Sequence, residues 1–185
     1  MSEMHLMIDL ETLGVRPDAR VLEIGAASFY LDGDGPLKTF TVCLDVGRQN
    51  GSVDAGTVDF WLKQPEAARK HIYSSKKLPP IEALEAFEAA FTPWGEIKGL
   101  WSHGPAFDVT ILQTLYARYG RAVPWSYKTV RDTRTLQFAV QQLGMKPAEY
   151  PSGGTMHAGD DDAANQALWV QRMVRQLRSA DPLAS

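Results

Sequence analysis

The first 46 residues contain three apolar segments that follow one another through short turns. They read HLMIDL (residues 5–10), RVLEIGAASFYL (20–31) and LKTFTVCLDV (37–46), and the segments GVRPDA and DGDG separate them. Apolar segments of this length, joined by turn-forming residues, indicate consecutive antiparallel strands. The chain is therefore constrained from its start to build a sheet around a three-stranded meander.

The rest of the chain alternates between helical and strand-like segments. Two short strands are predicted at IKGLWS (97–102) and YKTVRD (127–132). Helical composition or spacing covers residues 58–72, 80–92, 103–120, 133–144 and the C-terminal segment after 157. This order predicts an α/β fold with a mixed central sheet of about five strands, an antiparallel meander plus parallel strands, flanked by helices. The length of 185 residues predicts one domain over residues 1–185.

Bulk properties limit the class of protein. The chain has 44% hydrophobic and 22% charged residues, as soluble globular proteins do. Cys43 is the single cysteine, which excludes a disulfide framework and indicates a reducing compartment. Neither a signal peptide nor a membrane-spanning segment is visible, so we expect a cytoplasmic location and no membrane partner. The net charge of −3 argues against a broad basic surface, but permits an enzyme that holds phosphates through metal ions.

Asp9 and Glu11 are the acids that are hardest to explain structurally. They lie two residues apart at the end of the first strand, where the alternation of side chains places both carboxylates on one face. Acids are poor strand residues, and no helix begins here that they could cap. Two neighbouring carboxylates repel each other unless a cation lies between them. A solvated strand end is the alternative interpretation.

Two further acidic positions stand at the starts of predicted helices. Asp108 follows the strand at 97–102, and Asp162 belongs to the triplet DDD, with His157 just upstream. Capping of helix N-termini explains such acids equally well. If these acids converge with the first pair, however, their repulsion would raise their pKa values unless divalent cations neutralise them.

Carboxylates without cysteine favour the hard cations Mg²⁺ or Mn²⁺. Two such ions in one active site are a known arrangement for displacement at phosphorus, where one activates water and the other stabilises the leaving oxygen. A histidine close to that site can take the proton from the water at neutral pH. His157 is the candidate.

Three motifs, in this order, resemble those of the DEDDh exonucleases, the DnaQ-like branch of the RNase H-like fold. The segment from Asp9 to Thr12 resembles the motif Asp-x-Glu-Thr, and SHGPAFD, which ends at Asp108, resembles the second motif. His157 and Asp162, which are separated by four residues, resemble the third motif. The resemblance covers about residues 6 to 175. WSHGPAFD and RDTRTL also resemble a small subgroup of bacterial and phage exonucleases, some acting on RNA and some on DNA.

The resemblance implies a role for each motif residue. Asp9 would contact both ions, while Glu11 and Asp162 would complete the site of the water-activating ion. Asp108 would hold the second ion, and His157 would be the general base. The candidate substrate-binding residues are Leu10, Thr12, Trp61, His103, Phe107 and Arg131. Many relatives have Asn after the histidine of the second motif, whereas this chain has Gly104.

The predicted activity is that of a two-metal 3′-to-5′ exonuclease. It would hydrolyse phosphodiester bonds of single-stranded RNA or DNA with a free 3′ end and release nucleoside 5′-monophosphates. The sequence leaves the oligomeric state open, although relatives that lack other domains are often homodimers. Two alternatives stay open from the sequence: a non-catalytic nucleic-acid-binding domain of the same fold, and a metal-dependent phosphohydrolase acting on small nucleotides.

Overall fold

A computed structural model of the protein describes residues 3–154 and 157–180. The strands of its sheet are β1 (Met4–Thr12), β2 (Val21–Tyr30), β3 (Lys38–Leu44), β4 (Lys77–Leu78), β5 (Ile97–Ser102) and β6 (Val130–Asp132). The helices are α1 (Ala55–Lys63), α2 (Glu66–Ser74), α3 (Pro80–Ala90), α4 (Asp108–Arg118), α5 (Thr133–Gln142) and α6 (Gly159–Ser179).

The sheet has the strand order β4-β3-β2-β1-β5-β6. β1 pairs antiparallel with β2, and β2 pairs antiparallel with β3, so the predicted meander is confirmed. β5 joins β1 in parallel, and β6 joins β5 in parallel. The sheet has six strands rather than about five, because Lys77 and Leu78 pair in parallel with the end of β3. A strand of two residues is too short to show an alternation of side chains in the sequence.

The segment 58–72, which we expected to be helical, is divided between two helices. α1 begins at Ala55, where the Asp54 side chain accepts hydrogen bonds from the first free backbone amides. The break comes at Pro65, because a proline has no backbone N–H to donate into a preceding helical turn. The strand predicted at 127–132 is also shorter than expected and begins at Val130.

Each face of the sheet is covered by helices. On one face, Leu6, Ile8 and Leu10 of β1 belong to the same apolar cluster as residues of α3 and α4. On the other face, Met7 packs with Val170 and other residues of α6. The side chains that follow Met7 at alternate positions of β1 are the acids, so this alternation directs them to the α6 side.

Two helix ends follow their sequence signals. Gly120, just past the end of α4, has φ +68°, a conformation that a residue with a side chain rarely adopts. Asp132 accepts hydrogen bonds from the backbone amides of Arg134 and Thr135 and so caps α5. Of the described helices, none is both long and apolar enough to cross a bilayer.

Candidate active site

A cleft of about 720 Å³ opens at the C-terminal end of β1, between α1, α4 and the start of α6. Its size is typical of ligand-binding clefts. The four acids and the histidine singled out in the sequence all line it: Asp9, Glu11, Asp108, His157 and Asp162. Residues far apart in the chain are therefore brought together by the fold.

Asp9 lies at the centre of this acidic group. The Gln166 side chain of α6 donates a hydrogen bond of 2.7 Å to Oδ1 of Asp9. Burial raises the pKa of Asp9 well above its ordinary value, and the nearby carboxylates of Asp108 and Glu11 raise it further. The Gln166 amide opposes this shift because it stabilises the charged form.

Asp108, the first residue of α4, is only 4% exposed. Its Oδ1 accepts the backbone N–H of Leu10 at 3.2 Å, so this carboxylate joins the start of α4 to the end of β1. Burial raises the pKa of Asp108 to about 7. Helix capping alone, the alternative interpretation of this acid, does not account for its contact with β1.

Glu11, His157 and Asp162 form the other side of the acidic group. Nδ1 of His157 lies 3.6 Å from Oε1 of Glu11, and the backbone N–H of His157 donates to Oδ2 of Asp162 at 2.9 Å. His157 has φ +61°, an unusual conformation for a residue with a side chain. The contact with Glu11 raises the pKa of His157, while burial raises the pKa of both Glu11 and Asp162.

These groups fit a divalent cation. One potential ligand atom from each of Glu11, His157 and Asp162 lies within 4.8 Å of the other two. Asp9 and Asp108 add two more carboxylates to the same cleft, and burial raises the pKa of each. Carboxylate oxygens are the preferred ligands of Mg²⁺ and Mn²⁺, and a cation would offset the cost of burying these charges and their mutual repulsion.

Five of the six candidate substrate-binding residues line the cleft: Leu10, Thr12, Trp61, His103 and Phe107. Trp61 is only 2% exposed, and its Nε1 donates to the carbonyl of Thr12 at 2.9 Å. Its main contact therefore fixes the end of β1. His103 is held by Oγ1 of Thr133 at 2.7 Å from its Nδ1.

The structure does not bring Arg131 into the cleft. Its guanidinium donates to the backbone carbonyls of Lys128 and Val130, on the outer edge of the sheet. Arg134, by contrast, lies beside the second motif. A Cβ added to Gly104, which has φ +117°, would lie 3.7 Å from the Arg134 guanidinium carbon. A Cβ at this distance would make only ordinary van der Waals contact with Arg134, so the positive φ, and not a lack of space, favours glycine at position 104.

Phe60, Tyr150 and Gln166 are among the residues lining the cleft that sequence reasoning missed. Gln166 lies one helical turn after Asp162, and this spacing could have indicated it. Phe60 is 41% exposed, and its ring meets the ring of His157 edge to face at 5.3 Å. Tyr150 lies in the segment before α6, which shows no periodicity that would reveal its position.

The chain shares its fold with solved nucleases, among them a member of the DEDDh family. The chain belongs to the family described as 3′-5′ exoribonuclease Rv2179c-like domain, whose model matches residues 4–174. It is therefore a nuclease. None of the curated proteins compared with this sequence matches it.

Three solved structures show the same fold at low sequence identity. Cell-death related nuclease 4 (CRN-4) has a TM-score of 0.68 and 15% identity, covering 95% of this chain and 64% of its own. The nuclease domain of 3′hExo, a DEDDh family member bound to rAMP, has a TM-score of 0.57 and 15% identity. The match covers 95% of this chain and 93% of that domain. The zinc-bound E. coli ExoI–ssDNA complex has a TM-score of 0.64 and 17% identity. The match covers 98% of this chain and 42% of the ExoI chain. The chain thus spans less than two thirds of CRN-4 and of ExoI, but nearly all of the 3′hExo nuclease domain.

Proposed function

We propose that this protein is a 3′-to-5′ exonuclease that removes nucleoside 5′-monophosphates from single-stranded RNA with the help of two Mg²⁺ or Mn²⁺ ions. The observation that carries the proposal is the meeting of Asp9, Glu11, Asp108, His157 and Asp162 in one cleft. A domain that only bound nucleic acid would gain nothing from four carboxylates facing a polyanion, since like charges repel.

The acids supply the ligands for the ions. Asp9, Glu11 and Asp162 would hold one ion, and Asp9 and Asp108 would hold the other. Bound there, such ions lower the pKa of a water molecule and neutralise charge that develops on the phosphate oxygens. Gln166 orients Asp9 through its hydrogen bond to Oδ1, so Asp9 can offer its second oxygen to a ligand in the cleft.

His157 is placed to accept the proton of the attacking water. Its backbone is held by Asp162, and its ring is held between Glu11 and Phe60. In the reaction, the water oxygen attacks the terminal phosphorus and the bond from phosphorus to the 3′ oxygen breaks. The 3′ oxygen leaves with the shortened strand and takes up a proton, and the released nucleotide keeps its 5′ phosphate.

The end of β1 supports the terminal nucleotide. Leu10 and Thr12 line the cleft beside the acids, with Phe107 on the side of α4. The carbonyl of Thr12 is occupied by Trp61, and its Oγ1 donates to the carbonyl of Gly14 at 2.7 Å. These bonds fix the strand end against which the terminal sugar would rest.

The description of the matching family supports RNA as the substrate, although the E. coli ExoI complex was solved with ssDNA. The matching family is described as an exoribonuclease domain, and the 3′hExo nuclease domain was solved with the ribonucleotide rAMP. Recognition of RNA requires a contact to the 2′-hydroxyl. The backbone near Thr12 and the side chain of His103 are the candidates for this contact.

The test uses a 5′-labelled single-stranded RNA and a DNA of the same sequence, with Mg²⁺, Mn²⁺ or EDTA. We expect products that shorten from the 3′ end and form faster with RNA than with DNA. They should be absent with EDTA and with the Asp9→Ala variant. Asp59→Asn is the matched control, because this surface carboxylate pairs only with Lys63 in the described contacts and should leave the rate unchanged.

Each other outcome contradicts a definite part of the proposal. Equal or faster loss of DNA would contradict the preference for RNA. Hydrolysis of free nucleotides without shortening of either strand would favour the small-nucleotide phosphohydrolase. Binding of both strands without cleavage in either metal would contradict catalysis altogether.

A further inference from the structure

We propose that Glu23 is a positioning residue, which fixes the first turn of α6 and thereby holds His157 and Asp162 at the acidic cleft. This inference rests on the nuclease function proposed above. Glu23 is not among the described residues that line the cleft. It would therefore act through the residues it holds and not on the substrate.

Glu23 is a fully buried carboxylate on β2, with 0% exposure. It lies directly opposite Glu11 on β1, so two acids are neighbours across the antiparallel ladder. Burial of a charged group is costly unless the group is paired and hydrogen-bonded, and a second carboxylate adds repulsion. An acid retained at such a position requires partners that compensate for this cost.

The partners come from three different elements. Oε1 of Glu23 contacts Nε2 of His71 on α2 at 2.6 Å, and it accepts hydrogen bonds from Oγ1 of Thr41 and from Sγ of Cys43 at 3.7 Å. The other oxygen, Oε2, accepts the backbone N–H of Gly159 at 2.9 Å. Glu23 thus joins β3 and α2 to the start of α6.

Gly159 is the first residue of α6, where backbone N–H groups have no partner within the helix. The preceding residue, Ala158, offers no side-chain oxygen to cap them. Glu23 supplies that oxygen from the sheet, and its negative charge also favours the positive end of the helix dipole. A carboxylate on a strand thus performs the task of an N-cap residue.

The start of α6 also packs against Gly25, which lies two residues after Glu23 on β2. A Cβ added to Gly25 would lie 2.0 Å from the backbone carbon of Gly159, so strand and helix backbones touch directly. Glu23 and Gly25 point to the same face of the sheet because they are two residues apart on one strand. Together they fix both the direction and the distance of the first turn of α6.

The position of the active-site residues follows from this turn. Asp162 lies in the first turn of α6, and its Oδ2 accepts the backbone N–H of His157. A shift of the helix start would therefore move the proposed general base and one metal ligand together. Displacements of about 1 Å can reduce rates by about 100-fold.

The primary test is Glu23→Gln, which keeps the size of the side chain but removes its charge. We expect kcat on the RNA to fall by about 10- to 100-fold, the range typical of groups that support metal ligands, with KM changed less than about threefold. Mn²⁺ affinity, measured by calorimetry without substrate, should weaken as well. Wild-type kcat and Mn²⁺ affinity in Glu23→Gln would overturn the proposal.

The matched control is Ser28→Ala on the same strand. It removes one hydrogen bond, from Oγ of Ser28 to the carbonyl of Lys38, and it is remote from the start of α6. It should leave kcat and Mn²⁺ affinity unchanged. Equal losses in Ser28→Ala and Glu23→Gln would mean that general loosening of β2 explains the effect, and they would overturn the proposal.

Gly159→Ala provides a test that does not depend on the folding of Glu23→Gln. Its Cβ would lie 3.0 Å from the backbone of Gly25 and 3.2 Å from Oε2 of Glu23, so it would push the helix start outward without removing any polar group. We expect kcat and Mn²⁺ affinity to fall here too, and unchanged values would overturn the proposal. If the wild-type protein itself does not degrade RNA, the proposed function fails, whereas the Mn²⁺ affinities of the variants still test the positioning of α6.

Discussion

Gln166 donates its side-chain N–H to Oδ1 of Asp9 at 2.7 Å and so connects the second turn of α6 to the C-terminal end of β1. The other polar atom of this side chain, Oε1, is buried without a hydrogen-bond partner among the described residues. An amide with one bonded and one unbonded end is positioned for Asp9 and not for general packing.

Replacement of Gln166 by Leu should impair the metal site without unfolding the protein. The pKa of Asp9 would rise further, because the Gln166 hydrogen bond is the contact that lowers it. We expect Mn²⁺ affinity and kcat each to fall by about 10-fold, in the range typical of lost support for a metal ligand. Calorimetric titration with Mn²⁺ gives the affinity, and unchanged binding would show that Asp9 does not need this support.

The stability of the metal-free protein should decrease as pH rises. Burial raises the pKa of Asp9, Glu11, Asp108 and Asp162, with Asp108 at about 7. The folded protein then binds more protons than the unfolded chain between about pH 4 and 7, so the free energy of unfolding falls as pH increases through this window. The raised pKa of His157 acts in the same direction, since its stabilising charge is lost as pH rises.

The measurement for this pH effect is thermal unfolding in EDTA at pH 5 and pH 8. We expect the midpoint to be lower at pH 8 by on the order of 5 °C, because about 1 kcal/mol corresponds to about 2–4 °C for a chain of this size. Saturating Mg²⁺ should remove most of the difference, and Asp108→Asn should reduce it. A midpoint that rises from pH 5 to pH 8 in EDTA would contradict the raised pKa values.

Arg134 and Arg131 should differ in their effect on substrate binding. Arg134 lies over Gly104 beside the cleft, whereas Arg131 is bonded to backbone carbonyls on the outer edge of the sheet. We expect Arg134→Ala to raise KM for RNA several-fold and to reduce the salt dependence of binding by about one phosphate contact. Arg131→Ala is the paired variant, and an equal effect of the two substitutions would show that the position beside Gly104 is not special.

Phe60 should contribute more to base stacking than Trp61. Phe60 is 41% exposed at the cleft, whereas Trp61 is 2% exposed and bonded to Thr12. Stacking of a base on an aromatic side chain contributes about 1–3 kcal/mol, so Phe60→Ala should weaken RNA binding by about 10-fold. Fluorescence anisotropy with labelled RNA in Ca²⁺ measures this binding. Trp61→Phe should lower the unfolding midpoint instead, and a larger loss of affinity in Trp61→Phe would reverse the assignment.

Much of the fold was predictable because its strongest signals are local. The meander follows from three apolar segments, and the common face of Asp9 and Glu11 follows from the alternation of a strand. The ends of α4 and α5 follow from Gly120 and Asp132. The division of the predicted helix at Pro65 was missed, although a proline inside a helical segment is a signal for a break.

The parts of the site that the sequence did not reveal depend on contacts between distant segments. The spacing of Gln166 from Asp162 indicates only that both lie on one face of a helix, and the hydrogen bond of Gln166 to Asp9 depends on α6 lying against β1. Arg131 and Arg134 are equivalent in the sequence, and only the path of the chain after β6 separates them. Glu23 offered a signal, since an acid in the middle of an apolar strand is unusual, but its partners on α2 and α6 could not be inferred from spacing.

β1 and β2 pair from Met4 to Thr12, so Asp9 and Glu11 lie within the hydrogen-bonded sheet, whereas His157 precedes the first turn of α6 and Asp162 lies within it. The two sides of the active site therefore differ in their stability against local unfolding. Asp9 and Glu11 stay in place as long as the sheet is folded. His157 and Asp162 depend on a helix end, and helix ends unfold locally before the central strands of a sheet separate. On warming, catalysis would stop before the protein melts, and a brief return to lower temperature would restore it.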